Sequence, residues 1–223
     1  MRELSLRLFT AFILVIGLAI AFGYIVTAIS NKSIANFDTS IITYVQGLES
    51  PWLTTIMKVF TWSGSSLFIA PLALITFFFL YFVKHHRYQA TLFIVVILGT
   101  PLINGILKVY FKRDRPEIYR IMDANGFSFP SGHTMMAFST YAIIAYIVWR
   151  NIQIALTHVL LVLIAAFMII MIGTSRIYLG VHYPSDVLGG IAASALWVTV
   201  AISVYAYFQH KLEKKMRVFH VDE

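Results

Sequence analysis

The chain has 223 residues, of which 59% are hydrophobic and only 12% are charged, and its mean hydropathy is +0.80. Soluble domains are about 45–50% apolar and about 25% charged, so this composition excludes an ordinary soluble domain and predicts an integral membrane protein. The net charge of +7 does not indicate nucleic-acid binding, because no basic stripe lies on a solvated domain. Cysteine is absent, which excludes disulfides and thiolate metal sites.

Long apolar runs predict an all-α integral membrane protein, a bundle of six transmembrane helices. Several runs reach the roughly 20 residues that a helix needs to cross the hydrocarbon core, and they are continuous, which disfavours a β-barrel. The first run, residues 8–29, extends past Ala21 and favours an uncleaved span over a signal peptide, whose apolar core has about 7–15 residues. The further spans are expected at about residues 65–83, 88–109, 131–150, 154–174 and 187–208, all within a single membrane-embedded domain, residues 1–223.

The segment between the first two spans, residues 31–62, is mixed in character. Its polar residues, including Asp38, alternate with apolar ones at helical spacing, which predicts an interfacial amphipathic helix. A second short helix is expected after Pro51. Neither helix carries recognisable chemistry, so packing or lipid contact is their expected role. The apolar positions of the first are Ile34, Phe37, Ile41, Val45 and Leu48.

Six spans place both termini on one side of the membrane. Because basic residues near membrane ends favour the cytoplasmic side, the termini are expected to be cytoplasmic and the opposite face extracytoplasmic, in the cell membrane. Adjacent His85 and His86 lie on a short hydrophilic turn without convergent ligands, so solvation or topology is a better interpretation than metal binding. The basic residues on the terminal side are Arg2, Arg7, Lys84, Arg87, Arg150, Lys211, Lys214, Lys215 and Arg217.

Three short motifs fall on the side opposite the termini: KVYFKRDRP at residues 108–116, PSGH at residues 130–133 and SRIYLGVHYPSD at residues 175–186. A dianionic phosphate needs several donors aimed at its oxygens, which the basic residues of these motifs can supply. The candidates are Lys108, Arg115 and Arg176. Taken alone, each could be an interfacial charge at the end of a span, and only their grouping with two histidine motifs favours phosphate binding.

Three further basic residues are not among these candidates for phosphate binding: Lys112, Arg113 and Arg120. They are interpreted as solvated or substrate-steering charges.

The PSGH motif immediately precedes an apolar helix. Ser131 is a candidate N-cap, and Gly132 lets the backbone approach a ligand, so free amides at this helix start could bind phosphate. An ordinary helix cap would not require His133, which can protonate a departing alkoxide.

The third motif places His182 four residues before Asp186. Proline is favoured at the first helical position, so Pro184 predicts that Asp186 lies in the opening turn of a helix and His182 just before it. Asp186 could complement the helix dipole. Alternatively, its carboxylate could hold one ring nitrogen of His182 and leave the other as a nucleophile.

Together the motifs read K-x6-R-P, P-S-G-H and S-R-x5-H-x3-D, and all eleven fixed positions resemble the phosphatidic acid phosphatase type 2 superfamily. The resemblance implies a membrane phosphatase in which His182 attacks phosphorus to form a phosphohistidine, while His133 protonates the leaving oxygen and Asp186 orients the nucleophile. Water would then hydrolyse the intermediate without a metal or other cofactor. The phosphate-binding positions would be Lys108, Arg115, Ser131, Gly132 and Arg176.

The composition of the motifs also favours metal-independent chemistry. They contain one acidic residue at a matched position, Asp186, whereas a hard divalent cation wants several oxygen ligands. Zinc bound by His133 and His182 is the alternative.

The expected substrate is a terminal phosphate on a lipid anchor, because the motifs contact only the phosphate. Two kinds of lipid fit: a phospholipid such as phosphatidylglycerophosphate, and a polyprenyl phosphate such as undecaprenyl pyrophosphate. An ion or lipid transporter is the non-enzyme alternative, since intramembrane charges can mark an ion path. Vanadate-binding haloperoxidases have similar motifs but are soluble, which the hydropathy of this chain argues against.

Overall fold

The structure, a computed structural model, describes residues 2–117 and 119–219, with side chains described at residues 6, 8–117 and 119–212. Within this part of the chain every regular element is a helix, which confirms the predicted all-α class. A π-helical segment, Phe79–Val83, continues the fourth helix. The helices are α1 (Arg2–Ser30), α2 (Ala35–Gln46), α3 (Pro51–Ser63), α4 (Ser66–Phe78), α5 (Arg87–Phe111), α6 (Gly132–Asn151), α7 (Ala155–Tyr178) and α8 (Pro184–Phe219).

Among the described residues, five helical segments are long and apolar enough to cross a membrane, and they coincide with five of the predicted spans. The fourth predicted span forms α6, which has 20 residues but is not one of the five. Its crossing, and hence the count of six, stays a prediction. The five segments are Leu8–Ser30, Ser66–Val83, Arg87–Phe111, Ala155–Tyr178 and Pro184–Leu212.

Helix α6 is less apolar than the neighbouring spans, and other helices of the bundle enclose it. It packs against α5, α7 and α8, and its Thr134, Ser139 and Thr140 are fully buried. Polar side chains are tolerated at such helix–helix contacts where they find hydrogen-bond partners, although the buried Thr140 hydroxyl has none among the described residues. Ser139, for example, accepts a 2.8 Å hydrogen bond from Thr100 of α5.

The largest apolar cluster lies between α5, α6 and α8, around the fully buried Phe93, Val96 and Ile143. At one end of this bundle the start of α8 lies directly against the start of α6. A Cβ at Gly190 would come 3.1 Å from the backbone oxygen of Ser131, so a residue without a side chain permits this approach. The contact brings the second and third motifs together.

The two short helices predicted between the first two spans are confirmed as α2 and α3, and their position at the membrane interface stays a prediction. Helix α2 packs against α7 and α8, and α3 packs against α7. Helix α2 therefore contacts both helices that carry the third motif, and α3 contacts one of them.

Candidate active site

The three motifs converge at one end of the bundle, where α5 ends and α6 and α8 begin. The backbone N–H of Ser131 donates to the backbone oxygen of Asp186 at 3.1 Å, which ties the second motif to the third. Arg115 Nη1 lies 3.3 Å from His182 Nε2, which ties the first motif to the third. The sequence-predicted residues thus form one site.

A tight turn between α7 and α8 presents His182. The backbone N–H groups of Val181 and His182 donate to the carbonyl of Arg176 at 3.2 and 3.3 Å. Gly180 has φ +72°, and a Cβ there would lie 1.9 Å from the carbonyl oxygen of Tyr119. Glycine is therefore required at this position both by its left-handed backbone and by the closeness of the neighbouring loop.

His182 and Asp186 form a buried pair, with exposed fractions of 2% and 0%. Pro184 begins α8 and Asp186 lies in its first turn, as predicted. His182 Nδ1 lies 3.3 Å from Asp186 Oδ2, and the same oxygen accepts the Tyr183 N–H at 2.9 Å. Because an ionised carboxylate can only accept, Nδ1 carries the proton of the imidazole and Nε2 keeps its lone pair.

Burial lowers the pKa of His182 to about 4 and outweighs the neighbouring Asp186, which raises it. The charges of Arg176 and Arg115 also contribute to this lowered pKa. At neutral pH the imidazole is therefore uncharged, which is the state that a nucleophile requires.

Arg115 is anchored by the backbone around the site. Its Nη1 donates to the Val181 oxygen at 2.7 Å, its Nε to the Gly126 oxygen at 2.9 Å and its Nη2 to the Asn125 oxygen at 3.0 Å. Burial lowers the pKa of Arg115, while Asp186 opposes this effect. A guanidinium has five N–H groups, so the anchored side chain still has donors for an anion.

Arg176 lies deepest among the basic residues of the motifs, with an exposed fraction of 3%. Its Nη1 donates to the hydroxyl of Thr61 in α3, while its buried Nε has no hydrogen-bond partner among the described residues. A buried, charged donor without an acceptor is costly. This N–H therefore suits an anionic ligand oxygen.

Lys108 and His133 are the remaining predicted site residues with charged or titratable side chains. Lys108 lies in the last turn of α5 and His133 in the first turn of α6. His133 is within electrostatic range of Arg176, His182, Lys108 and Arg115. The fold therefore gathers both histidines and the three predicted cations around one point.

The PSGH segment differs in detail from the sequence expectation. Ser131 occupies the N-cap position of α6, but its side chain makes no capping hydrogen bond and instead accepts one from the Thr134 hydroxyl at 2.9 Å. The Ser131 backbone N–H donates to the backbone oxygen of Asp186, so the expectation of free amides is wrong for this residue. Gly132 lies against Asn104, whose Oδ1 would be 3.0 Å from a Cβ there.

The interpretation of Arg113 as a solvated or steering charge is wrong. Its Nη1 donates to Asp186 Oδ1 at 2.6 Å and to Ser185 Oγ at 2.7 Å, and its Nη2 donates to Asp38 Oδ2 at 2.8 Å. The guanidinium carbon also lies 4.1 Å from the centre of the Tyr183 ring. Arg113 thus contacts the carboxylate that holds His182.

The expectation that α2 and α3 serve only packing or lipid contact is also wrong. Asp38 of α2 has an exposed fraction of 2% and contacts both Arg113 and Ser185, and Thr61 of α3 contacts Arg176. One signal for Asp38 was present in the sequence: it lies four residues before the buried Ile42, on the apolar face of its helix. A charge on that face has to meet a partner.

Comparison with known proteins agrees with this geometry. The chain is 32% identical over 183 residues to phosphatidylglycerophosphatase B of Bacillus subtilis (strain 168), which covers 81% of this chain and 89% of that protein. It is 30% identical over 138 residues to YbjG of Escherichia coli (strain K12), provisionally named an undecaprenyl-diphosphatase, which covers 59% of this chain and 65% of that protein.

A solved structure has the same fold. The crystal structure of a transmembrane PAP2-type phosphatidylglycerolphosphate phosphatase from Bacillus subtilis superimposes with a TM-score of 0.77 at 30% identity, covering 88% of this chain and 96% of that one. The PAP2 superfamily matches residues 89–210, which include all three motifs. The chain therefore belongs to the PAP2 superfamily.

Proposed function

We propose that this membrane lipid phosphatase hydrolyses the terminal phosphate of phosphatidylglycerophosphate to give phosphatidylglycerol and inorganic phosphate. One observation supports the chemistry most directly: His182 is buried, uncharged at neutral pH and held by Asp186 with its Nε2 facing Arg115. The substrate is inferred from the phosphatidylglycerophosphatase B of Bacillus subtilis, a relative matched over 89% of its length.

In the proposed reaction, His182 Nε2 attacks phosphorus and the bond from phosphorus to the lipid oxygen breaks. His133, which has to be protonated when the dianionic substrate is bound, gives its proton to that oxygen as it leaves. The imidazole of His182 gains positive charge, which the carboxylate of Asp186 stabilises. Water then attacks the phosphohistidine and gives a proton to His133, which releases phosphate and restores both histidines.

The cations supply the electrostatic part of the mechanism. Lys108, Arg115 and Arg176 surround the two histidines, and the unpartnered Nε of Arg176 provides a donor for a phosphate oxygen. Charge that develops on the transferring phosphoryl group is stabilised best by donors already in place. Ser131 and Gly132 lie at the start of α6 beside His133, and we propose that they also bind the phosphate.

The location of the site argues for an enzyme and against a transporter. Lys108 lies in the last turn of α5 and Arg176 in the last turn of α7, so the charges lie at the ends of spans and not along a midplane path. A head group entering from the membrane surface can reach them while its chains stay in the bilayer. We place the site on the extracytoplasmic face.

The proposal is tested by phosphate release from purified protein in detergent with EDTA present. The substrates are phosphatidylglycerophosphate, undecaprenyl pyrophosphate, phosphatidic acid and lysophosphatidic acid, with His182→Ala as the blank. We expect release to persist under chelation and phosphatidylglycerophosphate to have the highest kcat/KM. Equal turnover of all four lipids would replace this assignment with a broad lipid phosphatase, and loss on chelation would indicate metal catalysis.

Undecaprenyl pyrophosphate is the second candidate substrate. The similarity to YbjG supports it, although that match covers 59% of this chain. A pyrophosphate offers the same terminal phosphate with a better leaving group, so this substrate should depend less on His133. The substrate panel separates the two candidates directly.

A further inference from the structure

We propose that Asp38 and Arg113 are positioning residues that hold Asp186, and through it His182, in the reactive orientation. Helix α2 would then be part of the catalytic machinery. The inference rests on the proposed role of His182 as the nucleophile.

Arg113 fixes the rotation of the Asp186 carboxylate. Asp186 Oδ1 accepts from Arg113 at 2.6 Å, which leaves Oδ2 for His182 at 3.3 Å and for the Tyr183 N–H at 2.9 Å. Without the contact to Oδ1, the carboxylate could turn about its terminal bond and the imidazole would lose its fixed tautomer. Orientation of the base by a third group is the general requirement of such sites.

Asp38 holds Arg113 from the other side. Its Oδ2 accepts from Arg113 Nη2 at 2.8 Å, so the guanidinium bridges two carboxylates with its two terminal nitrogens. Both carboxylates are almost completely buried, with side-chain exposures of 3% for Asp38 and 0% for Asp186. A buried charge persists only when it is paired, and removing one member of such a group is strongly unfavourable.

Asp38 also fixes the start of α8. Its Oδ1 accepts the Ser185 backbone N–H at 2.8 Å and its Oδ2 accepts the Ser185 hydroxyl at 2.6 Å. Ser185 precedes Asp186 in the first turn of α8, whose N–H groups lack partners within the helix. A carboxylate from α2 thus caps the helix that carries Asp186, and it does so where negative charge is favoured.

A double-mutant cycle tests the proposal against a merely structural ion pair. Asp38→Asn, Arg113→Lys and Arg113→Gln are each made alone and together with Asp186→Asn, and kcat and KM are measured with a soluble aryl phosphate. If the two residues act through Asp186, kcat should fall about 10- to 100-fold in the single variants, as for other groups that orient a ligand or base, with little change in KM. In the Asp186→Asn background the same substitutions should lower kcat by less than about threefold, because the effects of coupled residues do not add.

The conservative variant gives a second readout. Arg113→Lys keeps the charge but cannot bridge both carboxylates, so its kcat should lie between those of the wild type and Arg113→Gln. Lys112→Gln removes an exposed cation and Asp123→Asn an exposed carboxylate from the same loop, as matched controls for Arg113 and Asp38, and both should keep wild-type kcat. Thermal unfolding of each variant identifies those that fail to fold. If Arg113→Gln fails, the isosteric Asp38→Asn carries the test.

Two outcomes would overturn the proposal. One is a full, multiplicative loss of kcat when the variants are combined with Asp186→Asn. The other is wild-type kcat in folded Asp38→Asn. Failure of the proposed function looks different, because His182→Ala would then keep its activity or the wild-type protein would release no phosphate from any lipid.

Discussion

At the scale of single residues, the candidate site combines a buried, uncharged imidazole with several basic side chains. Burial disfavours the protonated form of His182 more strongly than Asp186 favours it. Arg176 Nε is likewise buried, and it has no hydrogen-bond partner among the described residues. These two features have one cause, the removal of water from the end of the bundle, and they suit attack on a phosphate ester.

The roles of the two histidines predict different defects. His182→Ala should eliminate turnover and any acid-labile phosphoenzyme trapped from labelled substrate, because no other group can accept the phosphoryl. His133→Ala should slow cleavage of alkyl phosphates far more than cleavage of an activated aryl phosphate, which needs little protonation of its leaving oxygen. The measurements are phosphoenzyme trapping and kcat for both substrates. A labelled phosphohistidine in His182→Ala would refute the assignment of the nucleophile.

The pKa of His182 predicts the acid limb of the pH profile. Its folded value of about 4 lies below the ordinary value of 6.5, so the imidazole stays uncharged until the pH falls toward 4. The acid limb of kcat/KM, which reports the groups of the free enzyme, should therefore lie well below pH 6.5. The same side chain takes up its proton near pH 6.5 in the unfolded chain. The unfolded state is therefore favoured, and the folded state should lose stability, as the pH falls from about 6.5 toward 4.

A variant tests the sign of this effect. Asp186 raises the pKa of His182, so Asp186→Asn should move the acid limb to still lower pH while reducing kcat. A shift to higher pH would contradict the contact between the two side chains.

At the scale of elements, the turn between α7 and α8 is the most constrained connection in the site. Gly180→Ala should lower stability and activity together, because a left-handed backbone costs a residue with a Cβ about 1–2 kcal/mol and the added carbon would overlap the Tyr119 carbonyl. Gly105→Ala is the matched control, since a Cβ there meets nothing within 4 Å. Thermal unfolding in detergent measures the stability, and kcat measures the activity. Equal stability and equal kcat of the two variants would contradict the requirement for glycine at position 180.

At the scale of the whole molecule, the predicted orientation can be measured directly, because the chain has no cysteine. The exposed Asp123 and His85 are described at opposite ends of the bundle, after α5 and before it. Asp123→Cys should react with an impermeant thiol reagent added to intact cells, whereas His85→Cys should react only after lysis. The reverse pattern would place the site on the cytoplasmic face.

The structure describes the side chains of only some of the basic residues on which the predicted orientation depends. Lys84, Arg87 and Arg150 lie at the end of the bundle away from the motifs, where Asn151 of α6 donates to Gln89 of α5 at 2.8 Å. The side chains of Arg2, Arg7, Lys214, Lys215 and Arg217 lie outside the described residues.

The sequence alone determined the helices, five of the spans and the residues that gather at the site. Helices depend on the spacing of apolar residues and on local signals such as Pro184, and spans depend on long apolar runs, so both can be read from neighbours along the chain. The motifs, through their resemblance to a phosphatase family, pointed to both histidines, Asp186 and three cations, which are residue types that suit phosphate chemistry.

Only the tertiary structure decided which other residues support them. Asp38 is 75 residues from Arg113 and 147 from Ser185, and Thr61 is 115 from Arg176. The sequence of α2 places Asp38 on the apolar face of the helix but does not identify its partner. A buried charge acquires its partner only when distant helices pack together, because that packing removes the water which would otherwise solvate it.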